Sequence, residues 1–403
     1  MDQARAAQEV TDGYTRLLAG LTKSGALAED WRGAFERAPR AEFVPETVWA
    51  PDDTSPTGHR RITRAAEPDA WRALVDADGV VVTQLDDGAH DGPGVPTSSA
   101  SKPSLVAVML RHLDVAAGAR VLDIGTGTGW TSALLTARLG DRAVTTVEVD
   151  PRVSAQAAHR LKDAGLPPAR LVVGDGLAGW PKGAPYDHIH STAAVRRVPR
   201  TWIGQTRTGA TLVTPWGTPY ANAGLLRLVR GEPGAPSYGR FVDNVSFMWM
   251  RAQRPHTVTL PPTEPDLLGP SAMDPDLAVS NVDVAFTIGL HVPDARYVHT
   301  WDAANPSATY RIILSDGNGS WASVRYESWD APDAVRQWGT RRLWDEITTA
   351  QSWWQDHARP PLTRFGLTVT ARGRQEAWLD EPSHTIGPPR QGTPSGAAGE
   401  PWI

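Results

Sequence analysis

The residues best suited to chemistry lie in one glycine-dense turn that follows an apolar strand. The sequence Val121-Leu-Asp-Ile-Gly-Thr-Gly-Thr-Gly-Trp130 predicts a buried parallel strand, a turn, and a helix that begins at Trp130. Glycine lets the backbone approach a ligand where a Cβ would clash, and the first N–H groups of such a helix face the same crevice. We therefore interpret the turn as the floor of a nucleoside-cofactor site. The alternative is a tight strand-to-helix turn that binds nothing.

The spacing of the glycines indicates which cofactor. A dinucleotide fingerprint reads G-x-G-x-x-G and places its second glycine against a pyrophosphate. Here the pattern is D-x-G-x-G-x-G, with Asp123 two residues before Gly125 and with Gly127 and Gly129 completing it. This pattern favours S-adenosyl-L-methionine, which has no pyrophosphate and carries an ammonium group that an acidic strand end attracts.

Two further predicted strands also end in acidic residues. The strand within residues 143–151 ends in Glu148, which is placed to accept hydrogen bonds from both ribose hydroxyls. We assign the nearby Asp150 to capping the helix that begins at Pro151. The strand within residues 170–176 ends in Asp175, which is predicted to accept from the adenine amine. Three acidic strand ends in βαβ order together predict a cofactor site.

Composition sets the broad class of the protein. The 403 residues are enough for two domains, and 40% hydrophobic with 21% charged residues is ordinary for a soluble protein. A net charge of −5 predicts no nucleic-acid partner. The absence of cysteine excludes disulfides and thiolate metal sites. No apolar run approaches the roughly 20 residues of a membrane span and no signal peptide is evident, so we expect a cytoplasmic protein without membrane association.

The elements around the glycine turn follow from periodicity and proline placement. Residues 1–40 have a helical pattern, residues 38–46 predict an extended arm because Pro39 and Pro45 interrupt any helix, and residues 52–69 predict a loop. A strand at 80–83 and an acidic, glycine-rich loop at 86–96 come next. Ser101 or a neighbour is predicted to cap a helix over 105–113, and the same serines would form an anion-holding lip over the cofactor.

Beyond Asp175, strands predicted at 186–191, 210–214, 225–230 and 240–250 complete a mostly parallel sheet with an antiparallel end. His188 and His190 share one strand face, but without a third ligand at suitable spacing we predict no metal.

The chain changes character after residue 250. Residues 251–280 predict a linker, residues 281–380 a small α+β domain, and residues 381–403 a disordered tail rich in proline and glycine. Within the α+β domain we expect strands at 282–290, 309–314, 321–326, 365–370 and 375–379. A helix is predicted over 340–354 with Thr340 as its N-cap.

The predicted cofactor limits the chemistry. Methyl transfer from a sulfonium is an in-line displacement, so the enzyme chiefly aligns acceptor, methyl carbon and sulfur. A carboxylate acceptor, with a reference pKa of about 4, is already ionised at neutral pH and needs no general base. The lack of a clear base near the glycine turn therefore favours a carboxyl acceptor over an amine or a phenol.

Several motifs together resemble the protein-L-isoaspartate O-methyltransferase family. They are the arm Ala38-Pro-Arg-Ala-Glu-Phe-Val-Pro-Glu46, the lip Ser101-Lys-Pro-Ser-Leu-Val-Ala107, the glycine turn, Gly174-Asp-Gly176 and Tyr186-Asp-His-Ile-His190. The resemblance implies a class I methyltransferase fold with a Rossmann-like doubly wound sheet over residues 1–250. It implies that Ser101 corresponds to the active-site serine. It also implies that the cofactor contacts Asp123, Gly125, Gly127, Glu148, Asp175 and Gly176, and we include Thr126 and Gly129 in the predicted cofactor site.

The chain departs from the family pattern in ways that resemble one of its branches. Lys102 replaces a glutamine, the acidic loop 86–96 replaces a glycine-rich segment, and the C-terminal region is expected to be absent from the repair enzymes. The turn at 191–199 and the run 239–249 are similar to a branch that acts on ribosomally made peptides, including lanthipeptides, lasso peptides and graspetides. That branch methylates an aspartate in a constrained peptide, and the next backbone nitrogen displaces methanol to give an aspartimide, which hydrolysis converts to isoaspartate.

We therefore predict aspartate O-methylation of a macrocyclic precursor peptide, with S-adenosyl-L-methionine as the cofactor. The alternatives are isoaspartate repair and a non-catalytic module that binds the cofactor or a peptide. In each case residues 281–380 are candidates for peptide recognition.

Overall fold

The computed structural model describes residues 2–89, 91–262, 264–301 and 310–387, with side chains from residue 13 onward. The chain forms two compact units. The first comprises the described residues up to Trp216, Leu225–Gln253 and Val369–Gly373, and the second comprises Gly217–Gly224, Arg254–Thr368 and the described residues from Arg374. The chain therefore passes between the units several times, and a single boundary at residue 250 does not separate them.

Among the described residues, seven α-helices belong to the first unit. They are α1 (Asp2–Lys23), α2 (Glu29–Arg37), α3 (Pro68–Asp76), α4 (Pro103–Leu113), α5 (Trp130–Leu139), α6 (Pro151–Asp163) and α7 (Arg200–Gly204). The helical pattern predicted over residues 1–40 is confirmed by α1 and α2, and apolar residues of both pack in one core with α4 and α5, where Leu21, Trp31 and Phe35 are almost fully buried. The segment predicted as an extended arm contains a single 3-10 turn at Arg40–Glu42.

A small sheet lies before the glycine turn. Its strands are β1 (Thr47–Pro51), β2 (His59–Thr63), β3 (Val81–Leu85) and β4 (Pro96–Ala100), in the order β2-β1-β3-β4 with antiparallel pairing. The loop predicted over 52–69 is therefore wrong where β2 and the start of α3 lie. Of the five residues in β2 only Ile62 is buried, so the strand lacks the alternation of apolar residues that would reveal it.

The main sheet of the first unit positions the predicted site. Its strands are β5 (Val121–Ile124), β6 (Val144–Glu148), β7 (Arg170–Val173), β8 (Tyr186–Ser191), β9 (Thr206–Gly217), β10 (Asn222–Val229) and β11 (Ser237–Asn244), in the order β11-β10-β9-β8-β5-β6-β7. β5 pairs in parallel with both β6 and β8, so the strand order reverses there. Ligands of open α/β sheets bind outside the carboxyl ends of strands at such a point. The predicted α/β fold with a mostly parallel sheet is confirmed.

The second unit contains a five-stranded antiparallel sheet in the order β12-β16-β15-β14-β13. Two helices pack on its core, which includes Ile288, Leu314 and Ile347. The elements of this part of the chain are β12 (Leu267–Gly269), α8 (Val282–His291), β13 (Arg296–Trp301), β14 (Tyr310–Ser315), β15 (Trp321–Arg325), β16 (Val335–Trp338), α9 (Leu343–Asp356), β17 (Phe365–Val369), β18 (Gln375–Leu379) and β19 (Thr385–Ile386).

Two predictions for the second unit are wrong. The strand expected at 282–290 is helix α8, whose first turn is capped because the Asn281 side chain accepts from the Asp283 N–H at 2.8 Å. Residues from Val284 to His291 are all buried, so the helix is apolar on every side and shows no amphipathic period. Thr340 does not cap α9, which begins at Leu343. Instead, the Gln337 side chain accepts from the Trp344 N–H at 3.0 Å.

The predicted linker contains β12 and two 3-10 turns, Arg251–Gln253 and Pro275–Ala278. Residues 388–403 of the predicted tail and Thr309 of a predicted strand lie outside the described residues. None of the helices in the described part of the chain combines the length and the hydropathy that a membrane span requires.

Candidate functional site

The glycine turn joins β5 to α5, and its three glycines meet different neighbours. All three have positive φ, at 85° for Gly125, 54° for Gly127 and 94° for Gly129. A Cβ on Gly125 would lie 3.1 Å from the Thr192 hydroxyl, and one on Gly129 would lie 3.2 Å from Leu161. A Cβ on Gly127 would instead extend toward β4, with its nearest neighbour at 3.8 Å. Gly127 is therefore the glycine that keeps space open between the turn and β4.

The side chain of Asp123, which is predicted to attract the cofactor ammonium, lies in a buried network of the protein's own side chains. Its carboxylate is fully buried and accepts hydrogen bonds from Ser132 at 2.6 Å, Thr146 at 3.2 Å and His190 Nδ1 at 2.9 Å. Thr126 joins the same group through a 2.7 Å contact between its hydroxyl and that of Thr146, so its hydroxyl is part of the buried network. This buried network ties β5, β6, β8 and α5 together beneath the turn, because the Asp123 carboxylate on β5 accepts from donors on the other three elements.

The carboxylate of Glu148 is almost buried at the end of β6, with 8% of the residue exposed. One oxygen accepts from the Gly127 N–H at 2.9 Å and the other from the Asp150 N–H at 3.0 Å. Burial raises the pKa of Glu148 above its ordinary value, although these two N–H groups and Arg251 oppose the shift. Each carboxylate oxygen can accept more than one hydrogen bond, so Glu148 can hold the turn and still receive a ligand hydroxyl.

Asp150 caps α6 as predicted, because its side chain accepts from the N–H groups of Arg152 and Val153. The other carboxylate oxygen accepts from Gln84 at 3.1 Å and from Arg251 at 2.9 Å. Burial alone would raise the pKa of Asp150, but these hydrogen bonds outweigh it and lower the pKa to about 2. Asp150 is thus ionised at neutral pH beside Glu148.

The third predicted strand end is more open. Asp175 is exposed, and one of its carboxylate oxygens accepts from the Leu177 N–H at 2.9 Å. Gly174 donates its N–H to the backbone carbonyl of Glu148 at 2.9 Å, which sets the ends of β6 and β7 side by side. Gly176 is buried, and a Cβ there would lie 2.7 Å from Ile124 and 2.8 Å from Met250. Gly176 is therefore required for close packing within the unit.

A buried arginine, Arg40, binds the backbone of the lip that carries Ser101. Arg40, with no exposed surface, donates five hydrogen bonds to backbone carbonyls, and those at the lip go to Ala100 and Ser101, each at 3.0 Å. Burial lowers the pKa of Arg40 to about 10, so the guanidinium stays charged at neutral pH. Its charged group also lies 5.7 Å from the centre of the Trp130 ring.

The prediction that Ser101 or a neighbouring serine caps α4 is wrong. The cap position is Lys102, which makes no side-chain cap, and the Ser104 N–H donates to Asp78 at 2.8 Å. The Lys102 ammonium also lies 3.6 Å from Asp78, so this departure from the family pattern forms an ion pair next to the lip. The Ser101 hydroxyl has no hydrogen bond to any residue in the described ranges, so it does not cap α4.

Two carboxylates of the acidic loop 86–96, Asp86 and Asp87, have partners within the first unit. The Asp86 carboxylate accepts from the N–H groups of Gly94 and Val95, both at 2.8 Å, which closes the loop. Asp87 lies 2.9 Å from the Arg251 guanidinium, and the same guanidinium reaches Asp150. Arg251 therefore links the acidic loop to the carboxylates at the end of β6.

Removing this link should have a modest, pH-dependent effect. We expect Arg251→Met to lower the free energy of unfolding by about 1 kcal/mol at pH 7, because the pairs are partly exposed. Asp150 has a depressed pKa, so its stabilisation is present above the unfolded value and is lost as the pH falls toward about 2. The difference between variant and wild type should therefore shrink between pH 4 and pH 2, as urea unfolding would measure. Arg61→Met, at an exposed arginine, is the control, and an equal pH response in both variants would contradict the link.

Sequence reasoning missed several residues of this site. Arg40 lies within a motif that was recognised, but nothing in the motif shows that its side chain is buried. Ser132 and Thr146 occupy ordinary helix and strand positions, and Gln84 and Arg251 are far apart in the chain. Among the residues that the structure describes, no group of three or more histidines, aspartates or glutamates is arranged to hold a metal.

Comparison with known proteins places this site in a family. The family model "Protein-L-isoaspartate(D-aspartate) O-methyltransferase (PCMT)" matches residues 92–246. The chain is 43% identical over 132 residues to a protein-L-isoaspartate O-methyltransferase of Methanoculleus marisnigri, covering 33% of this chain and 59% of that protein. It is 36% identical over 163 residues to the enzyme of that name from Paracoccus denitrificans, covering 40% of this chain and 74% of that protein.

A solved structure described as a protein-L-isoaspartate O-methyltransferase is similar in fold, with a TM-score of 0.51 and 20% identity. The match covers 91% of this chain and 100% of that one. Residues 251–403 make up 153 of the chain's 403 residues, so a match over 91% of the chain must include much of this C-terminal region. The expectation that this region is absent from proteins of that description is therefore not supported.

The family model, the matched share of the Paracoccus relative and the common fold agree. The chain belongs to the protein-L-isoaspartate O-methyltransferase family, a family of S-adenosyl-L-methionine-dependent carboxyl methyltransferases with the class I fold.

Proposed function

We propose that the protein transfers a methyl group from S-adenosyl-L-methionine to the side-chain carboxylate of an aspartyl or isoaspartyl residue in a peptide. The observation that carries this proposal is the Glu148 carboxylate, which receives the Gly127 N–H at the carboxyl ends of β5 and β6. The aligned segments cover only 52% to 74% of the curated relatives, so their names support the proposal without deciding the acceptor.

The residues of the crevice fit the cofactor. Gly127 leaves space beside β4, and Glu148 has lone pairs that can accept from the ribose hydroxyls. Val149 and Val173 expose 43% and 55% of their surface next to these acidic strand ends, where an adenine ring would cover them. Asp175 keeps one carboxylate oxygen for the adenine amine. When bound, S-adenosyl-L-methionine supplies an electrophilic methyl group on a positively charged sulfur.

The residues of the chain then have to orient the acceptor. An ionised carboxylate forms its bond to the methyl carbon as the bond from that carbon to sulfur breaks, so no proton has to be removed. We assign to the Ser101 hydroxyl, which has no hydrogen bond to the described residues, the role of donating to the acceptor carboxylate. Arg40 fixes the backbone of the lip from which that hydroxyl projects.

Ser101→Ala tests this assignment. We expect turnover at saturating cofactor to fall at least about tenfold, since a hydrogen bond to a charged group contributes about 1.5–3 kcal/mol. The melting temperature should change little, because the serine does not cap α4. Ser104→Ala, in the first turn of the same helix, is the matched control and should keep wild-type turnover. Unchanged turnover in Ser101→Ala would remove the serine from the mechanism.

The finer proposal concerns the acceptor. We favour an aspartate in a macrocyclic ribosomal peptide, because the acidic loop 86–96 and Lys102 depart from the repair enzymes' pattern at the acceptor side. Isoaspartate repair is the second candidate, and the names of the relatives agree with it at least as well. A non-catalytic module is the third.

Matched peptides separate these candidates. One sequence would be prepared with isoaspartate, with aspartate, and with aspartate inside a macrocycle, and methyl transfer would be followed with labelled cofactor. Preference for the macrocycle, followed by methanol release, supports the first candidate. Preference for linear isoaspartate supports repair. Cofactor binding without methylation of any of the three supports the module.

A further inference from the structure

The second unit carries a row of aromatic side chains that the proposed methyl transfer does not use. Five of them form what we name the aromatic cluster: Tyr297, His299, Trp301, Tyr310 and Tyr326. His299 stacks on Tyr310 with ring centres 5.4 Å apart and an interplanar angle of 18°. Tyr310 contacts Trp301 at 5.0 Å and Tyr326 at 5.1 Å, and His299 Nε2 lies 2.8 Å from the Tyr326 hydroxyl.

The strand register explains why these rings meet. Trp301 pairs with Tyr310 and His299 pairs with Ile312 between β13 and β14, and side chains of directly paired residues share a face of the sheet. Ile312 is fully buried in the core beneath the helices. The aromatic cluster thus continues the core face of the sheet toward one end.

The cluster passes from buried to open along this face. Tyr297 packs against Tyr220 at 4.9 Å and belongs to the margin of the core. Trp301 is 62% exposed, and His299 is also exposed. The outer rings, with Trp301 and His299 both exposed, therefore form a contiguous aromatic surface.

Two carboxylates lie at a turn that is tied to the buried end of the aromatic cluster. Asp274 caps the 3-10 turn Pro275–Ala278 and Asp276 lies within it. The Tyr220 ring packs on Tyr297, and its hydroxyl donates to the Ala278 carbonyl at 3.1 Å. Burial raises the pKa of Tyr326, and the negative charges of Asp276 and Asp274 raise it further. Asp276 is exposed and has no ion pair within the described ranges.

The aromatic cluster supplies no compensating positive charge. Packing against the neighbouring rings partly desolvates His299 and lowers its pKa, with Asp276 opposing, and this disfavours the charged imidazole. No Lys or Arg lies over any of its five rings in the part of the chain that the structure describes, whereas such contacts occur at Trp130 and Trp71 in the first unit. The surface is therefore electron-rich, acidic and unneutralised.

We infer that the aromatic cluster with Asp274 and Asp276 binds a lysine or arginine side chain of a peptide. The ring faces attract a cation and the carboxylates add a charge of the opposite sign, a combination that suits neither an acidic peptide nor a neutral apolar segment. The site would contribute to choosing the peptide, while binding at the cluster requires neither cofactor nor methyl transfer.

The test uses the full-length protein and two fluorescent peptides of one sequence, with either lysine or norleucine at a central position. Norleucine keeps the length of the side chain and removes the charge. In fluorescence anisotropy the lysine peptide should bind about threefold to thirtyfold more tightly, and added salt should reduce the difference. The cofactor is left out, so failure of the proposed methyl transfer would not affect the result.

Variants locate the site. Asp276→Asn and Trp301→Ala should each remove most of the preference for lysine, with thermal melting used to confirm folding. The controls are Val298→Ala, on the other face of β13, and Asp356→Asn, an exposed carboxylate at the end of α9, and both should keep the preference. Equal binding of the two peptides, no binding of the lysine peptide, or a preference retained in both Asp276→Asn and Trp301→Ala would overturn the inference.

Discussion

Replacement of Arg40 by methionine is expected to lower the free energy of unfolding by about 3–5 kcal/mol. The guanidinium is fully buried and donates to the carbonyls of Val75, Ala77, Gly79, Ala100 and Ser101 at 2.7 to 3.2 Å. Methionine fills a similar volume but leaves these buried acceptors without donors. The loss should be large because several unsatisfied carbonyls result from one substitution.

Two further variants separate this network from a general effect of removing an arginine. Arg37→Met removes an exposed arginine that donates one hydrogen bond, to Ala137, and should change stability by no more than about 0.5 kcal/mol. Arg40→Lys keeps the charge but has one ammonium in place of the forked guanidinium, so its stability should be intermediate. Urea unfolding at pH 7 measures all three. An Arg40→Met protein as stable as Arg37→Met would show that the network is not needed.

The strands and helices that the sequence predicted best are those buried on one face or bounded by glycine, proline or a capping residue. β5 and β6 are fully buried strands that glycine or proline follows within three residues, and α6 has an Asp-Pro start that the structure confirms. α8 was mistaken for a strand because burial on every side removes the helical period. β2 was missed for the opposite reason, since only Ile62 of its five residues is buried and the strand is held by pairing with β1. A hydrophobic period appears in the sequence only when one face of an element is apolar and the other polar, and neither α8 nor β2 has this contrast.

The candidate site was predictable in position and less so in orientation. The order of the strand ends follows from the βαβ pattern, and Glu148 and Asp175 lie together as that pattern requires. Asp123 has the same residue type at a similar point, yet its side chain faces the buried Ser132 and His190. The direction depends on which face of β5 lies against α5, and this is set by tertiary packing. Arg40 and Arg251 likewise act through partners distant in sequence.

Loss of the Glu148 carboxylate should give the largest effect on cofactor binding. We expect Glu148→Ala to weaken S-adenosyl-L-methionine binding by about 1.5–3 kcal/mol, or roughly 10-fold to 150-fold in Kd, as calorimetry would measure. The carboxylate both holds the Gly127 N–H and accepts from the ribose in the proposed complex. Glu148→Gln keeps one acceptor for the Gly127 N–H but loses the charge, so it should fall between wild type and Glu148→Ala.

The pH dependence of binding distinguishes the ribose role from a structural one. Burial raises the pKa of Glu148, and a ligand that donates hydroxyl groups to the carboxylate favours its ionised form. Wild-type affinity should therefore be full well above that pKa and should weaken as the pH falls toward it, whereas Glu148→Gln should lose this component. Asp150 does not interfere, because its pKa of about 2 lies far below the range measured. If Glu148 only supported the glycine turn, Glu148→Gln would bind the cofactor nearly as tightly as wild type, and the two proteins would respond to pH alike. Unchanged cofactor affinity in both Glu148→Ala and Glu148→Gln would exclude Glu148 from the cofactor site.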